Sequence, residues 1–232
     1  PKSKIVKDVQ ALVEKLMGNP DEALRHFLDS LARHQTHGDF VGEALCLGNL
    51  GLLYGEKGEI ESAVAQFKAA LAICDRQGLA ATGLLMLANL TGYSITMGDE
   101  VAAGEYAKRA LEIANTTGNR SVASYMKLQF LRLALWRGDV RTARSELQAA
   151  LRIAIGIGRP TLLIECALCG AEILAAQGQR DCASLVLSFV ADCPLANAPV
   201  RQEARARSAE WTAGAPATLK WPGLEHDELV HR

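Results

Sequence analysis

The sequence predicts an all-α fold: a right-handed α-solenoid of helix–turn–helix repeats, closed by a C-terminal capping helix. Three observations lead there. Shifted against itself by 40 residues, the chain aligns Gly18, Gly58, Gly98, Gly138 and Gly178, and likewise Ala23, Ala63, Ala103, Ala143 and Ala183. Leu31, Leu71, Leu111 and Leu151 form a third column closed by Ala191, and Gly38, Gly78, Gly118 and Gly158 a fourth, where the fifth copy has Ala198. Such self-similarity marks a stacked array in which each unit buries its apolar face against its neighbours. Second, apolar residues between the glycines recur at helical spacing. Third, 49 % of the residues are hydrophobic but only 5 % aromatic, so the core is built from Ala, Leu, Ile and Val, and its helices must approach closely.

The period divides residues 1–198 into five copies of about 1–38, 39–78, 79–118, 119–158 and 159–198, followed by a cap and tail over 199–232. The first copy opens with Lys7, Gln10 and Glu14 where later copies are mainly apolar. It is either a polar cap or a face that upstream chain once covered. Gly18-Asn19-Pro20-Asp21 then breaks the run, with Pro20 suited to a first helical turn. In the second copy Leu47, Leu50, Leu53 and Tyr54 mark one helix, and Gly55 to Gly58 interrupt it. Ala63, Phe67, Ala70, Leu71 and Cys74 mark the next, which Gly78 ends by supplying a left-handed residue. Asp99 and Asp139, each behind a glycine, stand where helix N-caps are needed in the third and fourth copies. The alanine column fits a helix crossing that admits only a methyl group. Beyond Ala198 the period stops. Pro199 to Trp211 reads as a helix with Val200, Ala204, Ala209 and Trp211 as apolar contacts, Gly214 to Pro222 as loop, and Leu224 to Val230 as a last helical turn.

Composition narrows the function. A net charge of −1 argues against bulk nucleic acid or an anionic membrane as partner. No signal peptide is evident, and the most apolar stretch, Pro160 to Ala176, is broken by Glu165 and Glu172. Six scattered cysteines do not frame a disulfide scaffold, so a reducing, cytoplasmic setting is expected. The chain begins with Pro1 rather than Met, as a piece of a longer protein or a processed product would.

No catalytic constellation recurs. Cys166-Ala167-Leu168-Cys169, with Cys182 and Cys193 following, has the spacing of zinc ligands. The repeat columns oppose that: Cys166 aligns with Cys46, Met86 and Met126, Cys193 with Ile73, Ile113 and Ile153, and Cys74 with Ala114 and Ala154. These are slots for small hydrophobes. His34 and His37 lack a third ligand, and Gly156-Ile157-Gly158 lacks the preceding strand of a dinucleotide site. No phosphate loop, metalloprotease helix or nucleophile elbow is present. Arg201, Arg205 and Arg207 are interleaved with Glu203 and Glu210, which does not make a nucleic-acid patch. Neither enzyme activity, nor a metal, nor a cofactor is expected; an enzyme with an unrecognised groove site is the third reading, after the two interaction roles given below.

Leu47, Leu50, Gly51, Tyr54, Ala63, Phe67 and Ala70 follow the order and spacing of the tetratricopeptide repeat, with Leu47 in place of its usual Trp. That repeat has about 34 residues, so each copy here is stretched. Residues 1–198 thus resemble the longer repeats of bacterial multidomain regulators, where they follow an ATPase, kinase or cyclase module. Ala149-Ala150-Leu151-Arg152-Ile153-Ala154, Ile157-Gly158-Arg159-Pro160 and Ala175-Ala176-Gln177-Gly178-Gln179 carry that likeness most closely. They also resemble the adaptor repeats of kinesin light chains and Pins-type polarity proteins. The resemblance implies a non-catalytic interaction or sensing region of a larger signalling or transcription-regulatory protein. A free-standing adaptor that assembles a complex is the alternative. The partner would be a protein, a peptide, a small effector or another domain of the same chain, and self-association is compatible with either reading.

In this family the first helix of each repeat lines a concave groove. Transferred by position, the groove columns are Leu45, Leu85, Tyr125 and Glu165; Asn49, Asn89, Gln129 and Cys169; Leu52, Gly92, Arg132 and Glu172; and Glu56, Thr96, Trp136 and Ala176. In the adaptor families asparagines in such a row hold bound peptides. A side-chain amide both donates and accepts, so Asn49, Asn89 and Gln129 could pair with a peptide backbone whatever its sequence; otherwise they bond within the groove or to water. Tyr125, Arg132 and Trp136 form a candidate anchor for a side chain or acidic group, unless Trp136 packs at a repeat junction. The carboxylate clamp of chaperone-binding repeats is replaced by Gly48, Leu52 and Leu85, so a chaperone C-terminus is not expected. Arg120, Lys127, Arg132, Arg137, Arg141, Arg144, Arg152 and Arg159 face only Asp139 and Glu146 over 120–164. They form either a docking surface or a solvated face.

Overall fold

The structure, a computed structural model, describes residues 20–212; the expectations for Lys7 to Glu14 and for Gly214 to Val230 lie outside them. Every element described is an α-helix: α1 Pro20–His37, α2 Phe40–Glu56, α3 Ile60–Gln77, α4 Ala80–Thr96, α5 Glu100–Thr116, α6 Arg120–Trp136, α7 Val140–Ile157, α8 Pro160–Ala176, α9 Arg180–Asp192 and α10 Ala198–Thr212. The chain forms two compact units that divide between Leu90 and Thr91. Consecutive helices pack pairwise in each, as in a helical-repeat solenoid: α1 on α2 and α2 on α3 in the first, α5 on α6, α6 on α7, α7 on α8 and α8 on α9 in the second. In the second unit α6 also packs on α8, and α10 on α9 and α8.

Both glycine columns are conformational. Gly38, Gly58, Gly78, Gly98, Gly118, Gly138, Gly158 and Gly178 all have φ between 67° and 79°, and no other residue type has positive φ among the described residues. Only glycine reaches that region without strain, so each of the eight turns from α1 to α9 is written directly in the sequence, whereas the connection from α9 to α10 has no glycine. The residue that follows often caps the next helix. Asp99 accepts from the Ala102 amide at 3.0 Å and Asp139 from Thr142 at 2.9 Å, as expected. The same device recurs at two positions not anticipated, Asp39 to Gly42 at 3.0 Å and Asn119 to Val122 at 3.1 Å.

These caps carry a pH dependence. The Gly42 amide holds the Asp39 carboxyl below its ordinary value of 3.8, and the Thr142 hydroxyl and amide do the same for Asp139. A depressed carboxylate stabilises the fold fully above its unfolded pKa, and loses that contribution as pH falls through the lower folded value. The melting temperature should therefore fall between about pH 5 and pH 3. The fall should be shallower in Asp39→Asn with Asp139→Asn, because asparagine caps without titrating.

The alanine column is buried throughout, Ala63, Ala103, Ala143 and Ala183 completely. Ala103→Leu should overpack its crossing and cost about 1–3 kcal/mol, readable as a lowered melting temperature with unchanged helicity before the transition. In the first unit Phe67 fills the space left by Gly51, where an added Cβ would lie 2.8 Å from the ring. In the second, Leu128, Leu131, Cys166 and Cys169 belong to one core cluster, and Leu168, Leu187, Ala204 and Trp211 to another.

Two expectations near the C-terminus are corrected. Cys193 does not continue its helix as Ile73, Ile113 and Ile153 do; α9 stops at Asp192 and Cys193 is extended (φ −69°, ψ 120°). Pro194 follows it, and a residue before proline is pushed out of the helical region. Ala209 is exposed, whereas Ala204 and Trp211 are buried. Val200, Ala204 and Trp211 share one helical face at i, i+4 spacing and its continuation, and Ala209 falls off it.

Candidate functional site

In the first unit α2 and α4 approach closely at Gly48, where a Cβ would meet the Met86 methyl at 2.7 Å. Leu45, Leu52 and Leu85 on these two helices are 40 %, 42 % and 47 % exposed. Single exposed leucines are common, but three on neighbouring helices make an apolar face with no protein covering it among the described residues. Asn49 is exposed within the same stretch. Asn89 is half-buried, and its Nδ2 donates to the Leu85 carbonyl of its own helix at 3.0 Å. That bond fixes the amide and leaves its oxygen available as an acceptor.

The corresponding positions of the second unit are covered. Glu172 on α8 is completely buried. Its Oε1 lies 2.9 Å from Nη1 of Arg207 on α10 and 3.5 Å from Nε of Arg132 on α6. Glu203, also on α10, accepts from Arg207 at 2.8 Å and from Arg132 at 3.3 Å. Two carboxylates and two guanidiniums thus form a closed, neutral centre that ties α6 and α8 to the terminal helix. Burial works against the Arg132 cation, but the charges around it, Glu172 and Glu203 among them, outweigh this and raise its pKa above the ordinary value.

Beside this centre lies a cavity of about 270 Å³ whose wall includes Tyr125, Gln129, Arg132, Glu165, Cys169 and Glu203. Gln129 is only 1 % exposed. Burial pushes the Tyr125 phenol and the Glu165 carboxyl upward. It drives the Cys169 thiol far above its usual range, and raises Cys166 to about 11. Both cysteines are therefore thiols at neutral pH and behave as apolar core residues. No group of three or more His, Cys, Asp or Glu side chains suited to a metal occurs among the described residues.

The predicted groove residues accordingly fall into two settings. Asn49, Leu52, Leu85 and Asn89 lie on the open face of the first unit. Tyr125, Gln129, Arg132 and Glu172 gather beneath α10 in the second. Trp136 stands apart from them, half-buried against Ile95, Ala103 and Leu133. From the sequence, Glu203 and Arg207 are only part of a run of interleaved charges that makes no nucleic-acid patch. Their i, i+4 spacing was visible, but not the helix that would meet them. Much of the basic run is engaged within the protein: Lys127 with Glu146 at 3.0 Å, Arg137 with Glu100, Arg144 with Gln177 at 2.9 Å and Arg159 with Ser121 at 3.1 Å.

Consecutive helices packed pairwise within each unit are those of a helical-repeat solenoid. The tetratricopeptide-repeat family model matches residues 9–76, a stretch that runs through α1 and α2 and into the last turn of α3. No curated protein matches the chain. Repeats of this family generally mediate protein–protein interactions and are generally non-catalytic. No described helix is long and apolar enough to cross a membrane.

Proposed function

We propose that the protein captures an extended peptide segment of a partner on the α2–α4 face, as the interaction region of a larger cytoplasmic signalling or transcription-regulatory protein. The observation that carries the reading is the conjunction of exposed Leu45, Leu52 and Leu85 with two amides, Asn49 and Asn89, on adjacent helices. The leucines supply apolar area for alternate side chains of the ligand. The amides bond its backbone, which gives affinity without strict sequence selection. The five-copy division of 1–198 and the groove roles of Asn49, Leu52, Leu85 and Asn89 belong to the same proposal, while Tyr125, Gln129, Arg132 and Glu172 lie beneath α10 and Trp136 packs against Ile95, Ala103 and Leu133. Its regulatory setting is supported by the stretched, alanine-rich form of the repeats.

Screening a peptide array with the wild-type chain, and then with Asn49→Ala combined with Asn89→Ala, tests it. The double variant should lose about tenfold or more in affinity for the selected peptides, since each lost backbone contact is worth on the order of 1 kcal/mol. Circular dichroism should remain unchanged. Equal affinity of the two proteins would remove the amide role.

A further inference from the structure

The outward face of α9 carries apolar residues that the repeat pattern does not call for. Leu185 is 72 % exposed and Phe189 64 %, and their i, i+4 spacing puts both on one side of the helix. At the same columns the earlier copies hold Ser145 and Ala149, Glu105 and Arg109, and Ala65 and Ala69. All of these are exposed except Ala149, which is half-buried. Helices α5 and α7 are each followed by further repeats, so one more repeat after α9 would leave Leu185 and Phe189 just as open. Single exposed hydrophobes are ordinary, but a bulky pair standing where other copies have charged or small residues marks a contact surface.

Charge indicates what covers it. Asp181 and Asp192 flank the apolar pair on the same face of α9, both exposed. On α7 the same two columns hold Arg141 and Arg152, also exposed. None of the four forms an ion pair among the described residues, although the Asp139 cap feels the charge of Arg141. Between its two arginines α7 presents Ser145 and Ala149, whose small side chains leave room for Leu185 and Phe189. Ile155, 67 % exposed, adds apolar surface just beyond Arg152. The outward faces of α7 and α9 are thus complementary in charge and in bulk. Equal columns point the same way within one array, so the two faces of a single chain cannot meet each other. Those of two chains can.

We propose that the second unit pairs with a second copy of this chain, α9 of each copy lying on α7 of the other. A two-fold arrangement makes the contact twice. Leu185 and Phe189 lie over Ser145 and Ala149 of the other copy, with Asp181 and Asp192 beside its Arg141 and Arg152. Interfaces of this small size are weak, so the dimer forms and dissociates with concentration. Salt weakens it further by screening the exposed charges. The contact is separate from the peptide face of the first unit, and either can fail alone.

Sedimentation equilibrium of the full chain, from micromolar to millimolar concentration and at low and high salt, tests the assignment. The wild type should dimerise, less tightly at high salt. Leu185→Asp with Phe189→Asp should weaken association about tenfold or more, as expected for losing two buried apolar side chains. Its melting curve should match that of the wild-type monomer, because neither residue is buried within the chain. Charge exchange is the sharper test. Arg141→Asp with Arg152→Asp in one protein, and Asp181→Arg with Asp192→Arg in another, should each stay monomeric although folded by their melting curves. An equimolar mixture of the two should dimerise again. Asn49→Ala with Asn89→Ala should associate as the wild type does. A wild type that stays monomeric, the result expected if residues 213–232 or another protein cover this face, would overturn the proposal. So would a dimer indifferent to Leu185→Asp with Phe189→Asp, a mixture that stays monomeric, or a dimer lost in Asn49→Ala with Asn89→Ala.

Discussion

Glu172→Leu is expected to destabilise the second unit by about 3–5 kcal/mol, the usual cost of removing one partner from a buried ion pair. Glu172 is fully buried, and the Arg132 and Arg207 side chains around it are only 18 % and 19 % exposed. Without it, two guanidiniums must share Glu203 in a poorly solvated space. Neither carboxylate oxygen of Glu172 reaches good hydrogen-bond geometry with a donor among the described residues, so Glu172 is held by charge, while Glu203 accepts the directed bonds of the centre. Two consequences follow. Added salt should change the loss little, because buried charges are poorly screened. Combining Glu172→Leu with Arg207→Met, which restores charge balance around Arg132 and Glu203, should recover most of the lost stability. Thermal unfolding of the two variants at low and high salt measures both. A Glu172→Leu protein that melts with the wild type would show that the centre contributes nothing to docking α10.

Phe67→Ala should cost a similar amount, about 3–5 kcal/mol, in the first unit. The expected loss is high because the hole cannot close. Phe67 is fully buried beside Gly51, and its own helix presents buried Ala63 and Ala70. None of these small residues carries atoms that could move into the vacated volume, and unrelaxed cavities carry the largest penalties. The smaller Phe67→Leu change should recover part of the loss. Urea unfolding followed by circular dichroism distinguishes them: the midpoint shifts most for alanine, and a midpoint unchanged in Phe67→Ala would contradict this packing.

How much of this was legible beforehand follows from what repeats and what occurs once. The turns from α1 to α9 were legible because each needs a left-handed residue, which places glycine at a fixed interval. The cysteine and methionine slots were legible for the same reason: Cys46, Met86, Met126 and Cys166 share a column and are all buried. Asp39 and Asn119 escaped notice as caps although they follow glycine as Asp99 and Asp139 do, because the cap alternates among residue types where the turn does not. The docking of α10 left no trace in the self-alignment. Glu203 and Arg207 meet Arg132 and Glu172 across a single tertiary contact, and an event without copies forms no column. For the same reason the groove columns carried across by position ran unbroken through Arg132 and Glu172, which in the folded chain lie under a helix. Trp136 illustrates the ambiguity of a lone aromatic, since the same helical spacing serves a groove wall and a repeat junction.

Hydrogen exchange of the protein with and without an array-selected peptide tests the proposed binding face most directly. Protection should rise in α2 and in the first half of α4, around Leu45, Asn49, Leu52, Leu85 and Asn89, while α6, α8 and α10 exchange as before. Protection centred on Gln129 and Arg132, or release of α10 when the peptide binds, would contradict the assignment of partner capture to the open face.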